Sequence, residues 1–579
     1  MQKNFGLDYE QKRRIGFFRF IIPFIVIALL GRLFTLQVIN HKYYLKIAGS
    51  QQWSKDMIPA KRGEIYVEDG FSKALYPLAT NETKDMVYVV PEELENKDET
   101  IGKLSDVLKI EKEKTLVSLE NSRLYVPLKK KLSDDEVKAL TDLNLKGVYL
   151  SKEQWRYYPE DSLASQILGY VNNEGNGQYG LEEQYNDILQ GVNGLYKAES
   201  DSQGRRIAFG KDVSRPAEDG DGIVLTINRD IQSEVEKTLE SYVKKFGAEC
   251  GNAIVMDPQT GEIIAMANAP TFNPNTYTEV KDFSAFKNKA VTDEYEPGSI
   301  FKAITMAAGL DDGKVEPDSK YTDTGSVVLN GNKIMNSDKK ANGEQTMTQV
   351  LEKSLNTGVS YVLNLIGKKT FYDYIKKFGF GDKTGIETGA EAMGSVLPPT
   401  EKDHTYATMS FGQSISTTPI QMVTSFAAIA NDGRLMKPHL IKKIVKADGT
   451  TEEIKPEEVR KVISDKSAAS LTAMLVSVVE KGHGGQAKVK GYKVAGKTGT
   501  AQVPLKNGRG YDTSRNIGSF IGFAPALEPR FVVMAKIDAP KGVQWAESTA
   551  APVVGAILDK LLKYYQVPPT EMDQLKVKP

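Results

Sequence analysis

Four serines in this sequence are followed three residues later by a lysine, a spacing that can place a nucleophile beside a base. They are Ser241, Ser284, Ser299 and Ser337. Only Ser299 follows a Pro-Gly turn and opens an apolar run, which predicts a hydroxyl at the N-terminus of a helix. Residues three apart lie on the same helical face, so Lys302 can reach that hydroxyl. The pattern predicts acyl transfer through Ser299, with Lys302 as its base.

A lysine acts as a base near pH 7 only if burial or a neighbouring cation lowers its pKa well below about 10.4. Lys-Thr-Gly occurs twice, at Lys383 in a loop of glycines and charges and at Lys497 inside a strand-like segment. We therefore expect Lys497 to lie beside Lys302 and to lower its pKa. Gly499 in the same strand would let a substrate backbone approach the strand edge closely.

Ser-x-Asn also occurs twice, as Ser354-Leu-Asn356 and as Ser514-Arg-Asn516. Only the first pair lies between Ser299 and Lys497 in the chain. The order favours Ser354 and Asn356 as the third element of one site.

The elements that would hold these residues follow from hydrophobic periodicity and turn residues. Strands are predicted at 252–257, 262–267, 493–503, 517–524 and 531–537, and helices at 230–242, 300–310, 348–366 and 467–479. The first and last strands would share one antiparallel sheet, which the central helices cover. The predicted fold class is α+β.

The chain length indicates several domains. We expect a mixed α/β module over 53–216, in which the pattern shows no catalytic constellation, and a second domain over 222–566. The stretch 200–222, rich in Ser, Asp, Gly and Arg, would be the boundary between them. The remaining predicted segments are a tail over 1–16, an anchor over 17–37 and a C-terminal tail over 567–579.

The segment 17–37 has the length of a membrane span if Arg19 and Arg32 extend toward opposite interfaces. Its uncharged core, 20–30, also has the length of a signal-peptide core, but no small-residue cleavage site follows it directly. Basic residues at 12–14 and 19 predict a cytoplasmic N-terminus. The chain after the anchor would then lie outside the cytoplasmic membrane.

Composition excludes several function classes. The 75 basic and 75 acidic residues give no net charge, which argues against a nucleic-acid partner. Cys250 is the single cysteine, so no intrachain disulfide forms, and the four histidines lie far apart without metal-ligand spacing. A metal site is therefore not expected.

Serine-x-x-lysine, serine-x-asparagine and lysine-threonine-glycine, in this order, form the signature of penicillin-binding proteins and class A β-lactamases. The segments 296–302 (EPGSIFK), 411–421 (FGQSISTTPIQ) and 496–502 (GKTGTAQ) resemble the penicillin-binding transpeptidase domain. Upstream, 180–182 (GLE) and 191–194 (GVNG) resemble its partner pedestal module, of the dimerisation type. The single anchor, the segment 31–38 after it and the lack of a glycosyltransferase region resemble the class B, monofunctional type.

The resemblance implies a peptidoglycan D,D-transpeptidase that needs no cofactor. Ser299 would attack the D-alanyl-D-alanine end of a stem peptide, with Lys302 as base, and an acceptor amine would resolve the acyl-enzyme. The other implied roles are a proton shuttle (Ser354), a substrate-amide contact (Asn356), a positive field (Lys497), substrate contacts (Thr498, Gly499, Thr500) and oxyanion donors (the N–H groups of Ser299 and Thr500). β-Lactams would act as inhibitors, and a SEDS-type glycosyltransferase and other divisome proteins would be partners.

At two places the sequence has other residues than the family motif. Val67 and Glu68 occupy the Asp-Arg positions of the membrane-proximal motif, which leaves the packing there open, and 481–485 replaces a Gly-Thr-Ala beside the cleft. Asn356 and the segment 520–525 look more like the septal (FtsI-type) enzymes than the elongation type. A D,D-carboxypeptidase or β-lactamase-like hydrolase and a non-catalytic scaffold are the competing interpretations.

Overall fold

The computed structural model describes residues 9–43, 53–70, 72–120, 125–199, 212–504, 510–543 and 545–571. It divides into two compact units. The first comprises Met1–Ala60 and Gly191–Asp219, and the second comprises Lys61–Gln190 and Gly220–Pro579.

The first unit contains the N-terminal helix and a small sheet. The helix spans Tyr9–Phe34 and continues as a π-helical turn over Thr35–Ile39. Its part Ile21–Ile39 is long and apolar enough to cross a membrane, and none of it is buried in the protein. The antiparallel sheet consists of Trp53–Ile58, Gly194–Glu199 and Asp212–Arg215.

The second unit begins with a seven-stranded sheet that joins two parts of the chain. The strand Ile65–Glu68 pairs in parallel with Gly222–Leu225, which pairs antiparallel with Ile441–Val445. The sheet also contains Leu75–Val89, Val126–Lys129, Val148–Tyr157 and Thr451–Glu453. The helices Lys97–Leu108, Lys112–Glu120 and Asp134–Leu143 lie between its strands in the chain, and the last begins with a capping box between Ser133 and Glu136.

The two residues that depart from the family motif have defined places in this sheet. Val67 is fully buried in the strand Ile65–Glu68. Glu68 forms ion pairs with Lys442 and, at 3.3 Å, with Lys443, both on the strand Ile441–Val445. These pairs supply a charged link between the sheet segments, although the sequence departs from the family pattern.

Glu182, in the segment that resembles the pedestal module, is the centre of a buried charge cluster. Arg62 Nε donates to Glu182 Oε2 at 2.7 Å, and Arg156 Nε donates to Glu182 Oε1 at 2.6 Å. Burial raises the pKa of the Glu182 carboxyl, but Arg156 and Arg62 outweigh it and hold this pKa below its usual range. One fully buried carboxylate thus supplies the counter-charge for two guanidinium groups.

We expect Glu182→Gln to lower the free energy of unfolding by about 3–5 kcal/mol, because both arginines would remain buried without a counter-charge. Thermal unfolding of the full chain in detergent measures the effect. Glu174→Gln removes an exposed carboxylate from the same region and is the control. Equal melting temperatures for the two variants would contradict this account of the cluster.

The other sheet of the second unit has five antiparallel strands, in the order Ile263–Ala269, Cys250–Met256, Phe531–Asp538, Tyr511–Ala524 and Ala495–Pro504. One face packs against the helices Arg229–Phe246 and Ala546–Tyr564. The other face packs against Lys302–Asp311, Pro419–Ala430 and Asp465–Lys481. The predicted α+β class and the shared antiparallel sheet are confirmed.

The helix predicted over 348–366 was wrong as a single element. The structure has a short helix, Met347–Glu352, and a long one, Asn356–Lys377. Between them Ser354 adopts a left-handed backbone conformation, with φ of 56°. Helical periodicity continues through this break, so the sequence pattern does not reveal it.

Candidate active site

Ser299 lies in a single 3₁₀ turn, Gly298–Phe301, that leads into the helix Lys302–Asp311. Gly298 has φ of 57°, and its N–H donates to the Gly412 carbonyl at 3.0 Å. A Cβ atom on Gly298 would lie 2.9 Å from the Thr500 carbonyl oxygen. The predicted Pro-Gly turn is therefore present, and its glycine lets the turn pack directly against the strand Ala495–Pro504.

A chain of hydrogen bonds joins the two predicted lysines through Ser354. Lys302 Nζ donates to the Ser354 carbonyl at 2.5 Å and contacts Ser354 Oγ at 3.1 Å. Lys497 Nζ donates to the same Oγ at 3.0 Å and to the Thr498 carbonyl at 3.2 Å. Three residues that are distant in the sequence thus form one Lys–Ser–Lys chain.

Both lysines in this chain are fully buried. Burial, and then the nearby Lys497, lower the pKa of Lys302 well below its ordinary value. Burial also lowers the pKa of Lys497 to about 7. The sequence interpretation named burial and a neighbouring cation without ranking them and expected Lys497 to contribute; burial is the larger cause here.

No hydrogen bond joins Lys302 Nζ to Ser299 Oγ, although both residues belong to the described part of the chain. The amine instead faces Ser354, whose carbonyl it contacts. Hydrogen bonds between catalytic groups often form only when substrate is bound. Ser299 itself is half-buried and lines the cleft described below.

The left-handed conformation of Ser354 has a measurable consequence. Such a backbone costs a residue with a Cβ atom about 1 kcal/mol or more, while glycine adopts it readily. We expect Ser354→Gly to be more stable than Ser354→Ala by about 1 kcal/mol, since both lose the same hydroxyl. Thermal unfolding of the two variants tests this, and a more stable alanine variant would contradict it.

The strand Ala495–Pro504 presents the Lys-Thr-Gly residues. Thr498 and Thr500 line the cleft, and Thr500 Oγ1 accepts from the Ala546 N–H at 3.2 Å. A Cβ atom on Gly499 would lie 2.6 Å from Ile300 Cγ1 and 2.8 Å from the Pro297 carbonyl. The Ser299 turn therefore requires this glycine for packing, and the close approach of substrate at Gly499 stays a prediction.

Asn356 begins the long helix and is half-buried. Its Nδ2 donates to the Met335 carbonyl at 2.8 Å, which fixes the orientation of the amide. The site thus brings Asn356 next to the Lys–Ser–Lys chain through Ser354, two residues earlier.

A cleft of about 850 Å³ opens in front of these groups. The predicted site residues that line it are Ser299, Ser354, Thr498 and Thr500. Asn336, Trp545 and Glu547 also line it; they come from separate segments and belong to no local motif, so the sequence carried no signal for them. Gln413 and His483 line it as well, and they lie in the segments 411–421 and 481–485 that the family resemblance had singled out.

The alternative motifs lie elsewhere or make other contacts. Ser241 Oγ and Ser284 Oγ bond to their own neighbours, Thr238 and Asp282. Lys383 begins a loop in which the Thr384 and Gly385 N–H groups donate to Glu391. Ser337, Ser514 and Asn516 also line the cleft, which sequence order did not indicate.

Comparisons with known proteins fit this geometry. The penicillin-binding protein transpeptidase domain matches residues 251–559, and the penicillin-binding protein dimerisation domain matches residues 57–225. These matched segments overlap the two modules that the sequence pattern predicts.

Relatives cover nearly the whole chain. Stage V sporulation protein D of Bacillus subtilis is 35% identical over 89% of this chain and 80% of its own length. Peptidoglycan D,D-transpeptidase FtsI of Escherichia coli K12 is 29% identical over 93% of this chain and 90% of its own. The crystal structure of penicillin binding protein 3 from Mycobacterium tuberculosis with aztreonam has a TM-score of 0.69 at 26% identity, covering 90% of this chain and 100% of that one. This chain belongs to the class B penicillin-binding proteins, the monofunctional enzymes whose transpeptidase domain cross-links peptidoglycan.

Proposed function

We propose that Ser299 is the nucleophile and Lys302 the base of this cross-linking reaction. The buried Lys302–Ser354–Lys497 chain beside the Ser299 turn carries the proposal. Burial and the nearby Lys497 lower the pKa of Lys302 well below its ordinary value, which favours the neutral amine that can accept a proton. An amine in this state, one helical turn from a cleft serine, is the arrangement that activates a hydroxyl.

In the first half-reaction Ser299 Oγ attacks the carbonyl carbon of the penultimate D-alanine, and its proton passes to Lys302 Nζ. The N–H groups of Ser299 and Thr500 would stabilise the developing oxyanion, and one such donor is typically worth about 3–4 kcal/mol. The C–N bond then breaks, and terminal D-alanine leaves with a proton from Ser354 Oγ. Ser354 regains a proton from the lysines that donate to it.

In the second half-reaction the amine of a neighbouring stem attacks the ester carbonyl. The amine loses a proton to the same Lys–Ser chain, the C–O bond to Ser299 breaks, and Ser299 Oγ regains its proton. The products are a new amide cross-link and free enzyme. Two easier steps thus replace one direct exchange of amides.

The polar groups on the strand Ala495–Pro504 suit the carboxylate of the donor stem. Thr500 Oγ1 already accepts from the Ala546 N–H, so its own hydrogen is available to an acceptor in the cleft. Thr498 lines the same wall, and Lys497 lies directly behind it. We assign the terminal carboxylate to Thr498 and Thr500, and Asn356 to a substrate amide.

A product assay tests the reaction itself. The full chain is incubated with a donor stem peptide and an excess of acceptor amine, and the products are separated by mass. Cross-linked amide is expected. If only free acid forms while the acceptor is present, the result would support the hydrolase interpretation instead. If no product forms at all, the result would support a non-catalytic scaffold.

A septal role rests on finer features. Asn356 and the segment 520–525 resemble the septal type, and the Escherichia coli relative described above carries the name FtsI. A fluorescent fusion to the full chain should accumulate at midcell in dividing cells. Signal along the side wall would favour the elongation type, and signal confined to sporulating cells would favour the role in the name of the Bacillus subtilis relative.

The remaining assignments concern topology and partners. The apolar helix would anchor the chain in the cytoplasmic membrane, with the N-terminus inside and the catalytic domain, 222–566, outside. Protease added to spheroplasts should digest the chain after the anchor and spare an N-terminal tag. We also assign 53–216 to the pedestal, and expect a SEDS-type glycosyltransferase and divisome proteins as partners, by family resemblance alone.

A further inference from the structure

Asp323 is a buried carboxylate at the end of the strand Lys320–Asp323, with 1% of its surface exposed. Its oxygens accept from five donors: Gly325 N (2.9 Å), Asn336 Nδ2 (3.0 and 2.9 Å), Asn342 N (3.0 Å), Asn342 Nδ2 (2.8 Å) and Thr357 Oγ1 (2.8 Å). Burial raises the pKa of Asp323, but these hydrogen bonds outweigh it and lower the pKa below its usual range. The carboxylate is therefore ionised at neutral pH.

Apart from Gly325 N, two residues after Asp323 itself, the donors come from two segments. One is the segment 336–342, which we call the cleft segment, since Asn336, Ser337, Asp338 and Asn342 line the cleft with Ser299. The other is the first turn of the helix Asn356–Lys377, represented by Thr357. Asn336 strengthens the junction, because its Oδ1 accepts from Thr357 N at 3.2 Å.

Asn356 depends on both sides of this junction. It precedes Thr357 on the helix, and its side-chain Nδ2 donates to the carbonyl of Met335, the residue before the cleft segment. If Thr357 moved relative to Asn336, the distance between the backbone of Asn356 and the Met335 carbonyl that its side chain contacts would therefore change. The carboxylate of Asp323 contacts both Thr357 and Asn336 and fixes that distance.

We propose that Asp323 is a positioning residue for cross-linking: it holds the cleft segment against Thr357 and thereby orients Asn356 toward the donor stem. This inference rests on the substrate-amide contact proposed above for Asn356. An ionised carboxylate suits the place because it is acceptor-only, and every group that faces it is a donor. An asparagine at 323 would bring its own NH₂ group against those of Asn336 and Asn342.

The test compares two β-lactams that differ in one amide. Benzylpenicillin carries an acyl amide that Asn356 would contact, and the penicillin nucleus carries a free amine there. Acylation rates of the full chain are measured with both compounds. We expect Asp323→Asn to slow acylation by benzylpenicillin about tenfold, the size of one lost hydrogen bond, while the rate with the nucleus stays close to that of wild type.

Three further variants complete the experiment. Asn356→Ala should reproduce this selective loss, and so should Asn336→Ala, which breaks the junction without changing Asp323. Asp318→Asn removes an exposed carboxylate five positions earlier and should change neither rate. Thermal unfolding verifies that each variant is folded.

The outcomes separate this inference from the proposed function. Equal slowing with both compounds, or no slowing, in folded Asp323 and Asn336 variants would overturn the positioning role. If Ser299→Ala still became labelled, the proposed acylation itself would fail, whatever the Asp323 variants did.

Discussion

Ser299→Ala is expected to abolish covalent labelling by a fluorescent β-lactam, because alanine has no oxygen to form the acyl ester, and to lower turnover of a donor stem about a millionfold, as when the nucleophile of a serine protease is removed. The reason is that Ser299 is the cleft serine one helical turn from the buried Lys302, whereas the other cleft hydroxyl near the lysines, Ser354 Oγ, already accepts from both of them. Membranes that contain the full chain are labelled, and the band is quantified on a gel.

Ser241→Ala is the matched control, because Ser241 also precedes a lysine by three positions but lies exposed on the helix Arg229–Phe246. It should label like the wild type. Undiminished labelling of Ser299→Ala would contradict the assignment of the nucleophile, and Ser337, the other cleft serine with this spacing, would be the next candidate.

Lys302→Met is expected to slow acylation by roughly a thousandfold, the usual contribution of a general base. Methionine fits the buried site and needs no hydrogen-bond partner, so the variant should unfold at no lower temperature than wild type at pH 7. The direction of this change in stability follows from the linkage between proton binding and folding. A lysine whose folded pKa is lowered binds its proton more weakly when folded, so stability falls as pH drops below the ordinary pKa, and the loss is complete below the lowered pKa.

Acylation rates and thermal unfolding are measured together for Lys302→Met. Lys314→Met, which changes an exposed lysine near the end of the same helix, is the control and should keep both properties. If Lys302→Met is acylated slowly but also unfolds at a lower temperature than wild type, misfolding would explain the slower acylation. If it is acylated as fast as wild type, Lys302 has no role in the reaction. Either result would contradict the role of a neutral base.

The sequence predicted which copy of each repeated motif lies in one common site. The Pro-Gly turn selected Ser299, strand-like neighbours selected Lys497, and chain order selected Ser354. The conformation of Ser354 was not predictable, since apolar residues continue at helical spacing through 348–366. The left-handed break is enforced by tertiary contacts with Lys302 and Lys497.

Contacts between distant segments explain the other misses. Asp323 belongs to no motif, and its donors lie in a loop and in the first turn of a helix. The packing of Glu68 depends on Lys442 and Lys443, which follow it by almost four hundred positions. The role of Gly499 was predicted from its place in a strand alone. In the structure, a Cβ atom at position 499 would clash with atoms of the Ser299 turn and the residue before it.

The pH dependence of Ser299 acylation, compared in wild type and Lys497→Ala, tests the central claim most directly. Wild type should show a rate that is already maximal near pH 7 and falls only under acid, where Lys302 gains its proton. In Lys497→Ala the acidic limb should move to higher pH, because the loss of a neighbouring cation and the entry of water both raise the pKa of Lys302. A wild-type rate that keeps rising toward the ordinary lysine pKa, near 10.4, or a profile that Lys497→Ala leaves unchanged, would contradict the account.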